Sequence, residues 1–511
     1  MRFLPDHNLG DIMRWIRFLF LVFIIGTLAL SGTCFSAADR TASKTADLFI
    51  TYPMDKTLFP GNIIPPTVRW KDRSDSHEWR IEIRGGNGQI ILSALTADSQ
   101  WRPSVDEWDC IKKSYRDEPL TLSVCGFPTS SSSMPLSKDM VNFSISSLTV
   151  TAPIFYRQVP IPARYARSHL PAIEWRLGSV ASTQPRTILS GMKACGNCHS
   201  FSSNGQILGM DVDFGSDKGA YVITEINTTA LFNKSEVMTW SDYDKESKYP
   251  TFGLLSRLSP NGRYAVSTVN DYAAYRYLDD LDCSQMFFPV RGILVIYDRE
   301  TKSFHELAGA SDPNYVQTNP AFSPDGRWIV FPRAPALEDM ALRAMMHKFM
   351  SGTATYRYDL YRVPFQADGT VTPEPVSGAS NNGMSNFFPA FSPDGKWIVF
   401  CMADRFMLNQ MDSELYIIPA NGGTARRLAC NIPGRMNSWH SWSPDSKWLA
   451  FASKANGPYT QVWLTHINAE GESTPAVLLD HFTDKELAAN IPEFINISFE
   501  DQLLRIVNQL D

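Results

Sequence analysis

One phrase recurs in the second half of this 511-residue chain: FSPDGRWIVF from Phe322, FSPDGKWIVF from Phe391, WSPDSKWLAF from Trp442 and LSPNGRYAVS from Leu258. Spaced repetition constrains a fold more than any local signal, because each unit is one supersecondary element that buries its apolar face only against its neighbours. Every copy reads as strand, tight turn, strand. Pro and Asp open the turn, Gly permits the reversal, and an aromatic–aliphatic strand follows. A third strand such as ELYIIPA (Glu414–Ala420) and a fourth such as TARRLAC complete the unit. Four antiparallel strands per repeat describe a propeller blade.

A fifth copy lies upstream. In CHSFSSNGQILGM, Phe201 aligns with Phe322 and Phe391, and Gly205 with Gly326 and Gly395. Near the C-terminus ANIPEFI (Ala489–Ile495) resembles TNPAFS but has no strands after it, while IFYRQVP, AIEWRLG and RTILSG precede the first copy. If the late strand joins those early three, a sixth blade forms and the ring closes, which removes exposed sheet edges. The expected fold is all-β, with a six-bladed propeller over 152–495 and residues 496–511 as a short helix or tail. Residues 45–150 read as an immunoglobulin- or fibronectin-like sandwich. TVRWKD, EWRIEIRG, QIILSAL and LTLSVCGF are short strand patterns between turns, and four tryptophans at 70, 79, 101 and 108 supply a core.

The N-terminus has Arg2, Arg14 and Arg17, an apolar run from Phe18 to Leu30, and small residues up to Ala38. This is the pattern of a secretory signal peptide over 1–38. The alternative is an uncleaved membrane anchor, the one membrane contact foreseen; Cys34 after Thr33 poorly matches a lipoprotein signal. A net charge of −6 without a basic block argues against nucleic acid.

Of the eight cysteines, export puts the seven beyond the signal segment in an oxidising space, where thiols pair unless something claims them. Cys110 and Cys125 are one candidate disulfide. Cys401 and Cys430 end the second and fourth strands of one blade, about 10 Å apart in ideal geometry, and bond only if those ends bend. Cys195, Cys198 and His199 form Cys-x-x-Cys-His, the haem-attachment signature. Zinc needs four ligands, and no second Cys or His pair lies nearby. A thioredoxin-type disulfide expects a helix N-terminus, whereas this motif leads into a strand; a plain disulfide stays open.

The chain resembles exported bacterial TolB-like propellers that carry a c-type haem motif. The words bearing the resemblance are CGNCHSFSSNG, MDVDFGSDKGAY, FFPVRGILVIYDRET, YVQTNPAFSPDG, MNSWHSWSPDSKWLAF and AANIPEFIN, across residues 45–500. It implies the architecture, a periplasmic or envelope location, and one covalent haem c rather than a particular reaction.

By alignment, His199 lies two residues before its blade's anchor, where other copies have Pro320, Pro389 and His440, at the mouth of the central channel. His199 is the expected axial ligand. Candidates for the opposite face are Met407 and Met411 in one loop, Met345 and Met346 in a helix-like insertion with Met340, Met350 and His347, then His440, and last Met210. Met210 sits on the strand pairing with the motif, on the same side of the iron as His199. Thioether ligation raises potential, and an open site permits chemistry. Asp211, Asp213 and Asp217 lack a full calcium set and read as solvated loop and strand-end residues. No Gly-x-Ser-x-Gly elbow appears. Three functions follow as expectations: one-electron transfer with a periplasmic redox partner, a TolB-like scaffold that docks an envelope protein or glycan around a structural or sensory haem, and a haem enzyme with an open iron site.

Overall fold

The repeated phrase takes its shape from side-chain hydrogen bonds inside the turn. In the computed structural model, Ser323 Oγ donates to Asp325 Oδ1 at 2.5 Å, and Asp325 Oδ1 accepts from Arg327 N at 3.0 Å. Ser323 Oγ accepts from Trp328 N at 2.9 Å. Ser and Asp hold such turns because their short side chains reach their own backbone. The same three bonds form at Ser392/Asp394, Ser443/Asp445, Ser259/Asn261 and Ser202/Asn204. The stretch after Cys198 is therefore a full copy of the repeat. Gly205, Gly262, Gly326 and Gly395 all lie at φ between +70 and +72°, where a side chain is strained. Ser446 takes that place in the last copy at φ +61°.

The structure describes residues 47–129, 131–246, 251–253, 255–366, 369–484, 486–498 and 505–510. The signal segment 1–38 lies outside them. The chain is nearly all β. Each repeat phrase opens an antiparallel meander. One runs Gly196–Phe201, Ile207–Val212, Ala220–Glu225, Val237–Thr239. The next has Arg257–Leu258, Tyr264–Tyr277, Gln285–Asp298 and Ser303–Glu306. A third, with Ala321–Phe322, Trp328–Pro335, Asp359–Pro364 and Glu374–Pro375, is bridged to the second by Gly292 and Val316. Two more begin at Ser385–Phe391 and Asn437–Trp442. Leu208, Ile329, Ile398 and Leu449 stand opposite the anchors Phe201, Phe322, Phe391 and Trp442, and all four are fully buried. The late strand Leu487–Phe494 pairs antiparallel with Ile154–Pro160, which pairs in turn with Glu174–Gly178 and then Arg186–Leu189. Gly196–Phe201 touches Arg257–Leu258, Ser385–Phe391 touches both Ala321–Phe322 and Asn437–Trp442, and Leu487–Phe494 touches both Asn437–Trp442 and Gly196–Phe201.

Ahead of these sheets lie a three-stranded sheet (Leu48–Tyr52, Val68–Asp72, Gln100–Trp101) and a five-stranded one holding Glu78–Arg84, Ile90–Thr96 and Leu120–Phe127. The four expected segments are strands. Val105–Ser114 is a helix instead, and Trp108 fills the core from it, its Nε1 donating to Ile63 O at 3.1 Å. Its signal was readable: Ser104 and Glu107 form a capping box. Cys110 on that helix and Cys125 on a strand are free thiols, as are Cys401 and Cys430, both fully buried.

The C-terminus departs from the expected helix or tail. Arg505–Asn508 is a strand, parallel to Thr229–Phe232, and Ile506 and Leu510 enter the core beside it. A chain ending at Ile497 is expected to lose about 3–6 kcal/mol, from two aliphatic side chains at roughly 1.5–3 kcal/mol each. An unchanged urea midpoint would show that this strand does not dock.

Candidate functional site

The strand carrying the Cys-x-x-Cys-His motif is bulged where the motif sits. Its ladder pairs Gly196 with Val212 and His199 with Met210 and shifts register between, leaving Asn197 and Cys198 out of it. Bulges re-aim side chains and recur beside functional sites. The equivalent place in other inner strands is bulged too, between Phe387 and Ala390, Ser438 and His440, and Asn490 and Glu493. Asn319, Phe388, Trp439 and Ile491 there take left-handed backbone, with φ from +43 to +52°. Each costs a residue bearing a Cβ roughly 1–2 kcal/mol. The strained residues surround one cavity of about 40 Å³, lined among others by Cys198, His199, Arg257, Asn319, His440 and Glu493.

His199 is buried, its ring edge-on to Phe155 at 4.8 Å between centroids. Neither ring nitrogen has a partner in hydrogen-bonding geometry, although the Ile491 backbone lies beside the ring. Burial, and then the Arg257 guanidinium, push its pKa down to about 3, so the imidazole is neutral. A buried polar atom left unpaired costs about 1–3 kcal/mol. Burial, then Asp211, raise the Cys198 thiol to about 12. Cys195 is half-buried, and neither cysteine is in a disulfide. Between them Gly196 backs onto Trp175, whose ring would lie 2.6 Å from any Cβ added there.

The candidates for the other face of an iron are distributed unequally. His440 reaches the same cavity as His199, yet its nitrogens are engaged: Nε2 with Val399 O at 3.0 Å and Nδ1 with Cys401 Sγ at 3.8 Å. Met407 is buried in the apolar core, Met345 and Met346 pack against that core, and Met411 is half-buried. Met340, Met350 and His347 are exposed on the helix Asp339–Met350. Met210 is buried behind Gly196, paired with His199 in the ladder. Among the described residues no methionine lines the cavity.

The three aspartates are not alike. Asp213 pairs with Lys218, and Asp217 accepts from Gly219 N and from the Ser241 and Thr239 hydroxyls. Asp211 departs from the expected solvation: it is buried, accepting from Ser256 Oγ at 2.8 Å and Leu255 N at 3.2 Å, and burial holds its pKa well above the carboxylate range. Its strand faces a neighbouring sheet rather than water. Among the described residues, no three His, Cys, Asp or Glu side chains group as a ready metal cage.

The sequence reading missed the ion pair at the centre, Arg257 to Glu493 at 3.1 Å. Both stand one residue before their anchors, where the other copies have Ser200, Ala321, Ala390 and Ser441. Two opposite charges at a place otherwise small were the available signal. Burial works against both charges; Glu493 nevertheless holds Arg257 above its ordinary value.

Burial pushes His440 down to about 4, from an ordinary 6.5. A depressed histidine contributes stability above pH 6.5 that is lost as pH falls towards 4, by up to about 3 kcal/mol at 1.36 kcal/mol per pH unit. Asp271, raised by burial to about 7, acts in the opposite sense, so the informative quantity is a difference between proteins. His440→Gln is expected to lose less stability than the parent between pH 7 and pH 4 in urea titrations. Equal losses would show that His440 takes up its proton in the fold.

No protein-family model matches the chain. An uncharacterised protein of Agrobacterium fabrum is 33% identical over 88 residues, covering 17% of this chain and 27% of that protein, so the match spans about a quarter of the relative's length. Solved structures that it resembles include TolB from Acinetobacter baumannii, with 12% identity, a TM-score of 0.41, and 84% and 79% of the two chains covered. The protein taken to be TolB in Agrobacterium tumefaciens matches at 11% identity and a TM-score of 0.35 over 68% of this chain and 99% of its own. The periplasmic gluconolactonase of Pseudomonas aeruginosa matches at 13% and 0.34, over 63% and 82%. Among the described residues no helix is long and apolar enough to cross a membrane. The chain is similar to these propeller structures at scores that carry no more than that likeness.

Proposed function

We propose that this is an exported, monohaem, c-type cytochrome-like protein that exchanges single electrons with a periplasmic redox partner. Its scaffold is read as a six-bladed TolB-like propeller behind an immunoglobulin-like sandwich. Counted by innermost strand, the sheets begin at Gly196, Arg257, Ala321, Ser385 and Asn437, and Leu487–Phe494 supplies the sixth.

One observation carries the haem reading. In the attachment motif both thiols are unpaired and the adjoining imidazole is buried, neutral and unclaimed at both nitrogens. The donor set fits haem c: Cys195 and Cys198 would hold it and His199 would ligate its iron. Haem would supply one-electron exchange. The bulge separates Cys198 from the ladder, and Gly196 lets the chain lie flat on Trp175. The cavity of about 40 Å³ suits water, against roughly 300–1,000 Å³ for ordinary ligand pockets. Attachment would then move residues 190–195, which belong to no strand. The test is an alkaline pyridine spectrum of exported, denatured protein from a host with a working haem-attachment system. A c-type spectrum is expected, and its absence removes the reading.

A second reading rests on the same cavity. His440 is engaged and, among the described residues, no methionine lines the site, which favours an open sixth position and with it a haem enzyme. Tight carbon monoxide binding by the reduced protein would select it over electron transfer.

A further inference from the structure

Arg157 sits on Ile154–Pro160, the strand that closes the ring against Leu487–Phe494, and pairs there with Trp175 and Asn490. Its guanidinium lies 5.7 Å from the centroid of the Trp175 ring. The same ring backs Gly196, between the two cysteines of the motif. One aromatic ring therefore separates this cation from the attachment segment. Its Nε is buried without a hydrogen-bond partner, and among the described residues no carboxylate is within ion-pair range of it. The groups whose charge acts on it are Cys195 and Cys198; burial lowers its pKa and the two thiols oppose that.

Arg257 provides the contrast. It is the other arginine close to Cys198, and it has Glu493. Arg164 and Arg167 are exposed and engaged with Tyr277. Arg157 is half-buried, and a guanidinium enclosed at Nε with no anion beside it is incompletely satisfied; its planar fork matches a carboxylate better than any other common anion except phosphate.

We propose that Arg157 binds a carboxylate of the group attached at Cys195 and Cys198, which for haem is a propionate. It acts as a positioning residue, orienting the tetrapyrrole against Trp175. The proposal rests on the haem reading above. No covalent step is involved.

The experiment uses the full-length exported protein, with Arg157→Met and Arg157→Lys as a pair. Both keep a long apolar stem over Trp175, and Lys alone keeps the charge. Haem content is read from the alkaline pyridine spectrum and midpoint potential from a redox titration. The Met variant is expected to retain covalent haem, since the thiols are untouched. Its reduced-to-oxidised ratio at fixed potential should fall at least tenfold, or 59 mV for one electron, because losing a nearby positive charge favours ferric iron. The Lys variant should recover at least half of that shift.

Met and Lys variants displaced equally, or both within twofold of the parent, overturn the proposal while leaving the haem reading intact. A parent protein without covalent haem overturns both. If the Met variant fails to accumulate, Arg157→Gln replaces it with the same expectations, and a Gln variant matching Lys would again overturn the charge role. A purely structural Arg157 would shift the melting temperature in every variant without separating Lys from the neutral residues.

Discussion

A chain with Cys195 and Cys198 both changed to serine is expected to reach the envelope without any covalent haem. Denaturing electrophoresis with a haem stain should show a strong band for the parent and none for the double variant. The single variants should fall between, since one thioether still tethers the group. His199→Gly should keep some attachment, because thiol addition does not use the imidazole, but shift the Soret band of the native protein. Fold should survive these changes. Cys195 is half-buried, and the strand holds its place through Phe201 and the Ser202 turn, so the serine variant should melt within a few degrees of haem-free parent. A double variant that still stains would move the attachment site elsewhere and end the reading.

Truncation before Leu487 carries the largest expected loss of stability. Residues 487–494 form the strand that pairs along Ile154–Pro160, and Ala488, Ala489, Phe494 and Ile495 are buried. Removing Phe494 and Ile495 alone gives up roughly 1.5–3 kcal/mol each. It also uncovers the ladder edge of a strand whose Phe155 and Tyr156 are fully buried, and frees Arg257 from Glu493. A total stability of 5–15 kcal/mol absorbs little of that. The truncated protein should melt at least about 10 °C lower, with the loss spread over every sheet because the ring reopens. A truncated chain that melts like the parent would show that the sheets do not depend on closure. The shorter deletion after Ile497 tests the docking strand separately.

The sequence by itself determined what is local and repeated. Five turns share one Ser and one Asp or Asn because those side chains satisfy their own backbone, so the phrase announces the turn wherever it occurs. The aromatic–aliphatic strand after each turn was legible as core, and it is buried along most of its length; ANIPEFI was legible as an inner strand missing its partners. The motif was legible too, as three residues at a known spacing.

Only the tertiary structure decided how those residues are aimed. The bulge that takes Cys198 out of the ladder depends on pairing with Ile207–Val212, and the unclaimed nitrogens of His199 depend on Phe155 and the strand around Ile491. His440 matches His199 in repeat position, yet contacts from a neighbouring sheet, Val399 and Cys401, engage its ring. The strand Arg505–Asn508 pairs with a segment more than 250 residues earlier, which no local pattern records. Arg257 and Glu493, 236 residues apart, meet because the strands that carry them line one cavity. Repeat chemistry acts through the hydrogen bonds of a few neighbouring residues, whereas the site is made by side chains from distant strands, and closing the ring is what brings them together.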